Sequence, residues 1–283
     1  MKYVVLFLAL LAVACAPVQD MNEHNTSSES MGHIGCQEGE VDEEGNCLPA
    51  EENTAGLFER DLSSEVTTQE MTNPIGYLAQ PASPGDYPGV VMIHEWWGLN
   101  ENIKYMAELL ASEGYVVYAV DLYDGEVAEE SSRAGELAGS VRNNPDEAIA
   151  KMQEAVNYLE NNGASTVGSL GWCFGGQQSL QISLNEEIDA TVIYYGNLVE
   201  DPQELQKING PVLGIFGEED SSIPVENVRS FEAALNEIGI QNSITVYPGV
   251  GHAFANPSGS RYAAEETKDA WEKTIMFLEE NLK

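Results

Sequence analysis

The sequence is poor in positive charge. Only 12 of its 283 residues are lysine or arginine, against 47 aspartates and glutamates, and the net charge is −35. A chain this short of bases has no face to hold a phosphate backbone, which excludes nucleic acid as a partner. Cysteine is scarce too. Cys15, Cys36, Cys47 and Cys173 are scattered with no Cys-x-x-Cys pair, which argues against a cysteine-held zinc. Neither a phosphate-cradling loop nor a dinucleotide fingerprint is present, so no cofactor is expected. The first apolar run, Tyr3 to Val13, is too short to cross a bilayer as a helix. What is abundant is acid, spread over the whole length. High salt tolerates such a surface because it screens the self-repulsion, so a salt-adapted source is the expectation.

The N-terminus reads as an export segment over residues 1–14. Lys2 supplies a minimal charged start, the apolar run follows, and Ala12-Val13-Ala14 precedes Cys15. Ala-x-Ala fits ordinary signal-peptide cleavage. The same stretch resembles a bacterial lipobox, which would make Cys15 the lipidated first residue of an exported, periplasmic or cell-surface protein. Residues 15–65 form an acidic tether. Between Asp20 and Glu65 there are thirteen acids and one base, Arg60, a composition that buries little apolar surface. Cys36 and Cys47 inside it are placed to close one small disulfide loop in an oxidising compartment. Asp42, Glu44 and Asn46 alternate there without EF-hand spacing, and with His24 and His33 they read as solvated tail residues.

The chain is 43% hydrophobic, enough for one large domain, and residues 66–283 carry its pattern. Val66–Met71 and Ile75–Gln80 are short strands around Asn73-Pro74. Gly89–His94, Tyr115–Val120, Ser165–Trp172, Ala190–Tyr195, Pro211–Phe216 and Ser243–Tyr247 are strands, most of them continuous apolar runs buried on both faces. Helices are expected around Ile103–Ala111, Pro145–Asn161, Gly175–Leu184, Val225–Ile238 and Ala263–Leu282, with a long polar segment before Pro145. Alternating strands and helices give a mostly parallel, twisted α/β sheet with helices on both faces.

The strongest motif is Gly171-Trp172-Cys173-Phe174-Gly175-Gly176, directly between a strand and a helix. Gly-x-nucleophile-x-Gly in that context is a nucleophile elbow, a tight turn that lifts one side chain above the sheet edge. It also sets the sulfur at a helix N-terminus, whose partial positive charge favours thiolate. A buried structural cysteine is the competing reading. Partners favour the nucleophile. The loop after one later strand reads Gly217-Glu218-Glu219-Asp220-Ser221-Ser222-Ile223-Pro224, with three competing acids, and the loop after the last strand holds Gly251-His252-Ala253-Phe254. Nucleophile, acid and base in that chain order, all at the carboxyl ends of parallel strands, make an α/β-hydrolase.

At these residues the chain resembles the dienelactone hydrolase family. The resemblance runs from about Val66 to the end. Its marks are His94-Glu95-Trp96-Trp97-Gly98-Leu99-Asn100, Asp121-Leu122-Tyr123, the cysteine elbow, and Asp220 placed four residues before Pro224 and paired with Gly251-His252-Ala253-Phe254. It implies a Cys173-His252-Asp220 triad that opens an ester or lactone through an acyl-enzyme. It implies backbone N–H groups of Trp96 and Phe174 as the oxyanion hole, and Glu95 as the glutamate that contacts the resting thiol. Trp97, Tyr123, Tyr194, Tyr195 and Asn256 would line the pocket. The family's founding enzymes hold a substrate carboxylate with two arginines. Here Asp124-Gly125-Glu126 and Asn256 stand at those places, so a neutral ester or lactone is the expected substrate.

Two further readings keep parts of this picture: a thioesterase or peptidase on the same fold, and a non-catalytic surface binding protein. The expected partner is a small molecule, the expected state a monomer, and membrane contact would come only through Cys15.

Overall fold

The computed structural model describes residues 60–283. The export segment, Cys15 and the Cys36–Cys47 loop lie outside the described residues. Packing begins before Val66: Leu62 is buried in the core, and Arg60 pairs with Glu65 and Glu113. The folded region therefore starts slightly earlier than the composition change suggests, because a single leucine suffices to dock the incoming chain.

Eight strands form one sheet. They are β1 (Val66–Thr72), β2 (Ile75–Pro81), β3 (Gly89–Ile93), β4 (Val116–Val120), β5 (Val167–Trp172), β6 (Ala190–Tyr194), β7 (Val212–Gly217) and β8 (Asn242–Tyr247), in the spatial order β1-β2-β4-β3-β5-β6-β7-β8. β1 and β2 are antiparallel to their neighbours and the rest run parallel. The inner strands β3, β5, β6 and β7 are buried at every residue, as their unbroken apolar runs require. Within β3 the pleat splits the side chains: Val90 and Met92 enter one core, Val91 and Ile93 the other.

Among the described residues seven helices accompany this sheet: α1 (Glu101–Ser112), α2 (Ser131–Asn143), α3 (Pro145–Asn161), α4 (Phe174–Ser183), α5 (Pro202–Leu205), α6 (Val225–Ile238) and α7 (Ala264–Leu282). Ile103, Met106 and Leu110 of α1 pack with Val90 and Met92, while Met152, Val156 and Leu159 of α3 pack with Val91 and Ile93. These two helices therefore lie on opposite faces. Asn100 starts α1 by accepting the Ile103 N–H at 3.2 Å.

The long polar segment contains a helix that the pattern does not announce. α2 buries only Ala134 and Ala138 and carries Gly135 and Gly139, so it lacks a broad apolar face. Its contact is with α3 rather than with the sheet's strands, and two alanines at i, i+4 suffice for a close helix pair.

The strand order also fixes where a site can form. From β3 the chain moves to β4 on one side, and from β4 it crosses back to β5 on the other. The loops after β3 and β5 therefore leave adjacent strands in opposite directions. A crevice opens at that switch point, beyond the carboxyl ends.

Candidate active site

The turn after β5 places Cys173 at φ 56°, ψ −115°, a backbone conformation that non-glycine residues rarely adopt. Its neighbours make this possible by having no side chain. A Cβ on Gly171 would lie 2.2 Å from the Gly175 carbonyl oxygen, and one on Gly175 would lie 2.3 Å from that of Ile93. The strand end is anchored by the Cys173 N–H donating to the Tyr194 carbonyl at 3.0 Å. Phe174 is the first residue of α4, so its N–H is one of the donors that a helix's first turn leaves without an intrahelical partner.

Three loops converge on the sulfur. His252 Nε2 lies 3.0 Å from Cys173 Sγ, and His252 Nδ1 donates to Asp220 Oδ2 at 2.7 Å. Asp220 is buried, and its other oxygen accepts the Ser222 and Ile223 N–H groups at 2.8 and 3.1 Å. The three-way competition among Glu218, Glu219 and Asp220 is thus decided by geometry, since Asp220 is the acid that reaches the imidazole. Burial opposes charge on Asp220, but its bonds to His252 and the two backbone amides prevail and hold it below the ordinary carboxylate value. Burial likewise opposes charge on His252, yet the hydrogen bonds to Asp220 and Cys173 raise it to about 10. The arrangement sets an imidazole that favours its charged form directly against the Cys173 sulfur.

Glu95 is 3% exposed and sits at the head of the crevice. Its hydrogen-bond partner is not the thiol. Oε2 accepts from Asn256 Nδ2, and Cys173 Sγ is engaged by His252 instead. Burial raises the Glu95 pKa to about 7, with His252 and Asn256 pulling the other way.

A cavity of about 780 Å³ opens over the sulfur, lined by Glu95, Trp96, Trp97, Cys173, His252 and Asn256 among others. Tyr123, Tyr194 and Tyr195 do not line it. Tyr194 is a core residue whose hydroxyl meets the Ala270 carbonyl and Thr274 Oγ1 on α7. Tyr123 packs edge-on to His94 and beside Phe174, with centroids 4.6 and 5.6 Å apart. Tyr195 lies behind the imidazole, 5.3 Å from the His252 ring, wholly buried. An aromatic next to a strand end is as readily core as pocket, and these three are core.

The sequence reading missed the other side of the mouth. Ser222, Ser258, Gly259, Ser260 and Arg261 line the cavity as well. Arg261 is nine residues beyond His252, but the Ala263 N–H donates to the Phe254 carbonyl at 2.9 Å and folds the loop back on itself. That return brings the Arg261 guanidinium to 3.5 Å from the His252 carbonyl oxygen. The repeated Ser-Gly-Ser after Pro257 was the available signal for such a turn.

Known proteins share this architecture. The profile of the dienelactone hydrolase family matches residues 75–282. A protein of Saccharolobus solfataricus that bears the provisional name carboxymethylenebutenolidase is 30% identical, over 71% of this chain and 92% of its own. The protein usf of Aquifex pyrophilus is 33% identical over 73% of this chain and 93% of its own. Among solved structures, a provisionally assigned dienelactone hydrolase of Klebsiella pneumoniae superposes with a TM-score of 0.65 at 25% identity, covering 76% of this chain and 98% of that one. A dienelactone hydrolase-like promiscuous phosphotriesterase from metagenomic libraries shares the fold at a TM-score of 0.70 and 20% identity, over 77% of this chain and all of that one. With the cysteine elbow at the sheet's switch point and a family match spanning most of its length, the chain belongs to the dienelactone hydrolase family, as a hydrolase of carboxylic esters or lactones.

Proposed function

We propose that the protein cleaves a carboxylic ester or lactone through an acyl-enzyme on Cys173, with His252 as base and acid and Asp220 as its orienting carboxylate. The single observation that carries this is the unbroken chain Asp220–His252–Cys173 at 2.7 and 3.0 Å on the elbow of a family hydrolase. The thiolate adds to the carbonyl carbon, and the oxyanion is met by the N–H groups of Phe174 and Trp96. One such donor contributes about 3 kcal/mol to the transition state. The alcohol leaves with the proton from His252 Nε2, or stays tethered if the substrate is a lactone. Water then gives its proton to His252, attacks the thioester and restores the thiol.

The substrate is neutral near the reacting carbonyl. Asn256 stands where a second arginine would be needed, and Glu95 takes up its amide. Arg261 sits at the exposed rim, and an exposed ion pair is worth at most about 1 kcal/mol. We further propose export and lipid attachment at Cys15, on the strength of Ala12-Val13-Ala14-Cys15. Intact mass of the mature protein tests that part: a diacylglyceryl adduct supports it and a bare cysteine ends it.

A panel of esters, thioesters and peptides varying acyl size and charge tests the main reading, with mass spectrometry of the quenched enzyme. Ester turnover with an acyl adduct on Cys173 is the expected result. Preference for thioesters or peptides would replace the substrate class. No turnover and no adduct across the panel would favour a binding protein.

A further inference from the structure

Asn256 holds polar groups at both ends of its amide. Nδ2 donates to Glu95 Oε2, while Oδ1 accepts from the Ser258 N–H at 2.9 Å and from Ser258 Oγ at 2.7 Å. The side chain is buried, and its own N–H is tied to the Ala253 carbonyl at 3.1 Å. Both ends of the amide are thus held by the protein, with one Nδ2–H to spare. We propose that Asn256 is a positioning residue that acts through Glu95, fixing that carboxylate as a second negative charge facing the Cys173–His252 pair.

The geometry explains why such a clamp matters. Glu95 lies at the end of β3, Asn256 and Ser258 in the loop after β8, so the bond ties together two sides of the crevice that have no backbone hydrogen bond between them at this point. The groups around Glu95 come from every neighbouring element. His94 precedes it, Cys173 comes from the β5–α4 turn, and Tyr195 follows β6. His252, backed by Asp220, and Arg261 complete the ring from the loops beyond β7 and β8. His252 is the charge that acts on Glu95 in favour of ionisation, and burial acts against it. The Asn256 amide adds a donor that only the ionised carboxylate uses fully. Without that donor, burial prevails and Glu95 stays protonated to higher pH. The imidazolium of His252 then lacks its second counter-charge, and the reactive pair forms later in a pH titration.

The test reads the sulfur directly. The rate at which iodoacetamide alkylates Cys173 in the full mature chain is measured against pH, with modification followed on the Cys173 peptide. A hydrogen bond to a charged group is worth enough to move a titration by about one to two pH units. In Asn256→Ala the midpoint of the reactivity limb near pH 7 should therefore move up by about that much. In the isosteric Asn256→Asp, which keeps the volume and so guards against simple misfolding, a second carboxylate competes for the proton and the limb should move up as well. Glu95→Gln should abolish the limb, and adding Asn256→Ala to it should then shift nothing. A slower rate with an unmoved midpoint in both Asn256 variants would reduce Asn256 to packing and overturn the proposal. So would a shift that persists in the Glu95→Gln background. Because alkylation needs no substrate, failure of the ester reading leaves this experiment intact. The proposal rests on the proposed function only in taking Cys173 as the reactive group.

Discussion

Two histidines stand at the carboxyl ends of parallel strands, and they do opposite things. His94, after β3, is wholly buried between Tyr123 and Phe174. Its Nδ1–H donates to the Glu95 carbonyl at 2.6 Å and its Nε2 accepts the Leu122 N–H at 3.1 Å. Both nitrogens are used as a neutral ring uses them, and burial lowers its pKa. His252, after β8, is flanked by a carboxylate and a thiol, and its pKa rises to about 10. Both are histidines beyond the carboxyl ends of parallel strands, one after an inner strand and one after the edge strand. What separates a structural clip from a candidate general base is whether the partners stabilise the charged form.

The largest expected effect breaks the pair cleanly. His252→Ala should lower kcat/KM on the order of 10⁴-fold or more in protein that still folds, with Asp220 still held by the Ser222 and Ile223 amides. His94→Ala should do the reverse, costing about 3 kcal/mol in denaturant unfolding, since it leaves a buried carbonyl and a buried N–H unpaired and opens a void. Equal activity losses in both variants would erase the distinction. Next in size, Asp220→Asn should cost about 10³-fold in kcat/KM and pull the alkaline limb of the pH profile down from about 10, because the imidazolium loses its anionic partner.

The adjacent buried groups His94 and Glu95 differ in how stability follows pH. His94 is depressed from 6.5, so the unfolded chain takes up the proton preferentially. Its contribution is present above 6.5 and is lost as pH falls. Glu95 has the opposite sign: its folded value of about 7 lies above the usual 4.5, so its contribution declines as pH rises through that window. Urea unfolding of wild type and His94→Gln between pH 5 and pH 8, compared as a difference, isolates the first. The gap between them should narrow toward acid pH. The smallest effect concerns the rim. Arg261→Ala should change kcat/KM for anionic esters by about five-fold or less and for neutral esters hardly at all. A larger loss on anionic substrates would overturn the neutral-substrate reading.

The strands, the main helices and the elbow were legible because each rests on a local rule: an unbroken apolar run, a 3.6-residue period, glycines where a side chain cannot fit. Chain order and strand ends pointed to Cys173 and His252 and to a loop with three acids, of which Asp220 is the one the structure brings to the imidazole. Other features depend on contacts that no local pattern encodes. α2 is held by two alanines against another helix. Tyr123, Tyr194 and Tyr195 are packed into the core rather than the cavity by neighbours such as His94, Phe174 and Thr274, which lie far away in the sequence. Arg261 reaches the mouth only because the loop after His252 doubles back. Asn256 was visible as a missing arginine, whereas its bond to Glu95 depends on two loops meeting from distant parts of the chain.

The central claim is that Cys173 is the nucleophile. Hydrolysis of p-nitrophenyl acetate by wild type and by Cys173→Ala, with both confirmed folded by circular dichroism, tests it most directly. The account predicts turnover by the wild type and a loss on the order of 10⁴-fold or more in the variant. Equal rates in the two proteins would contradict it.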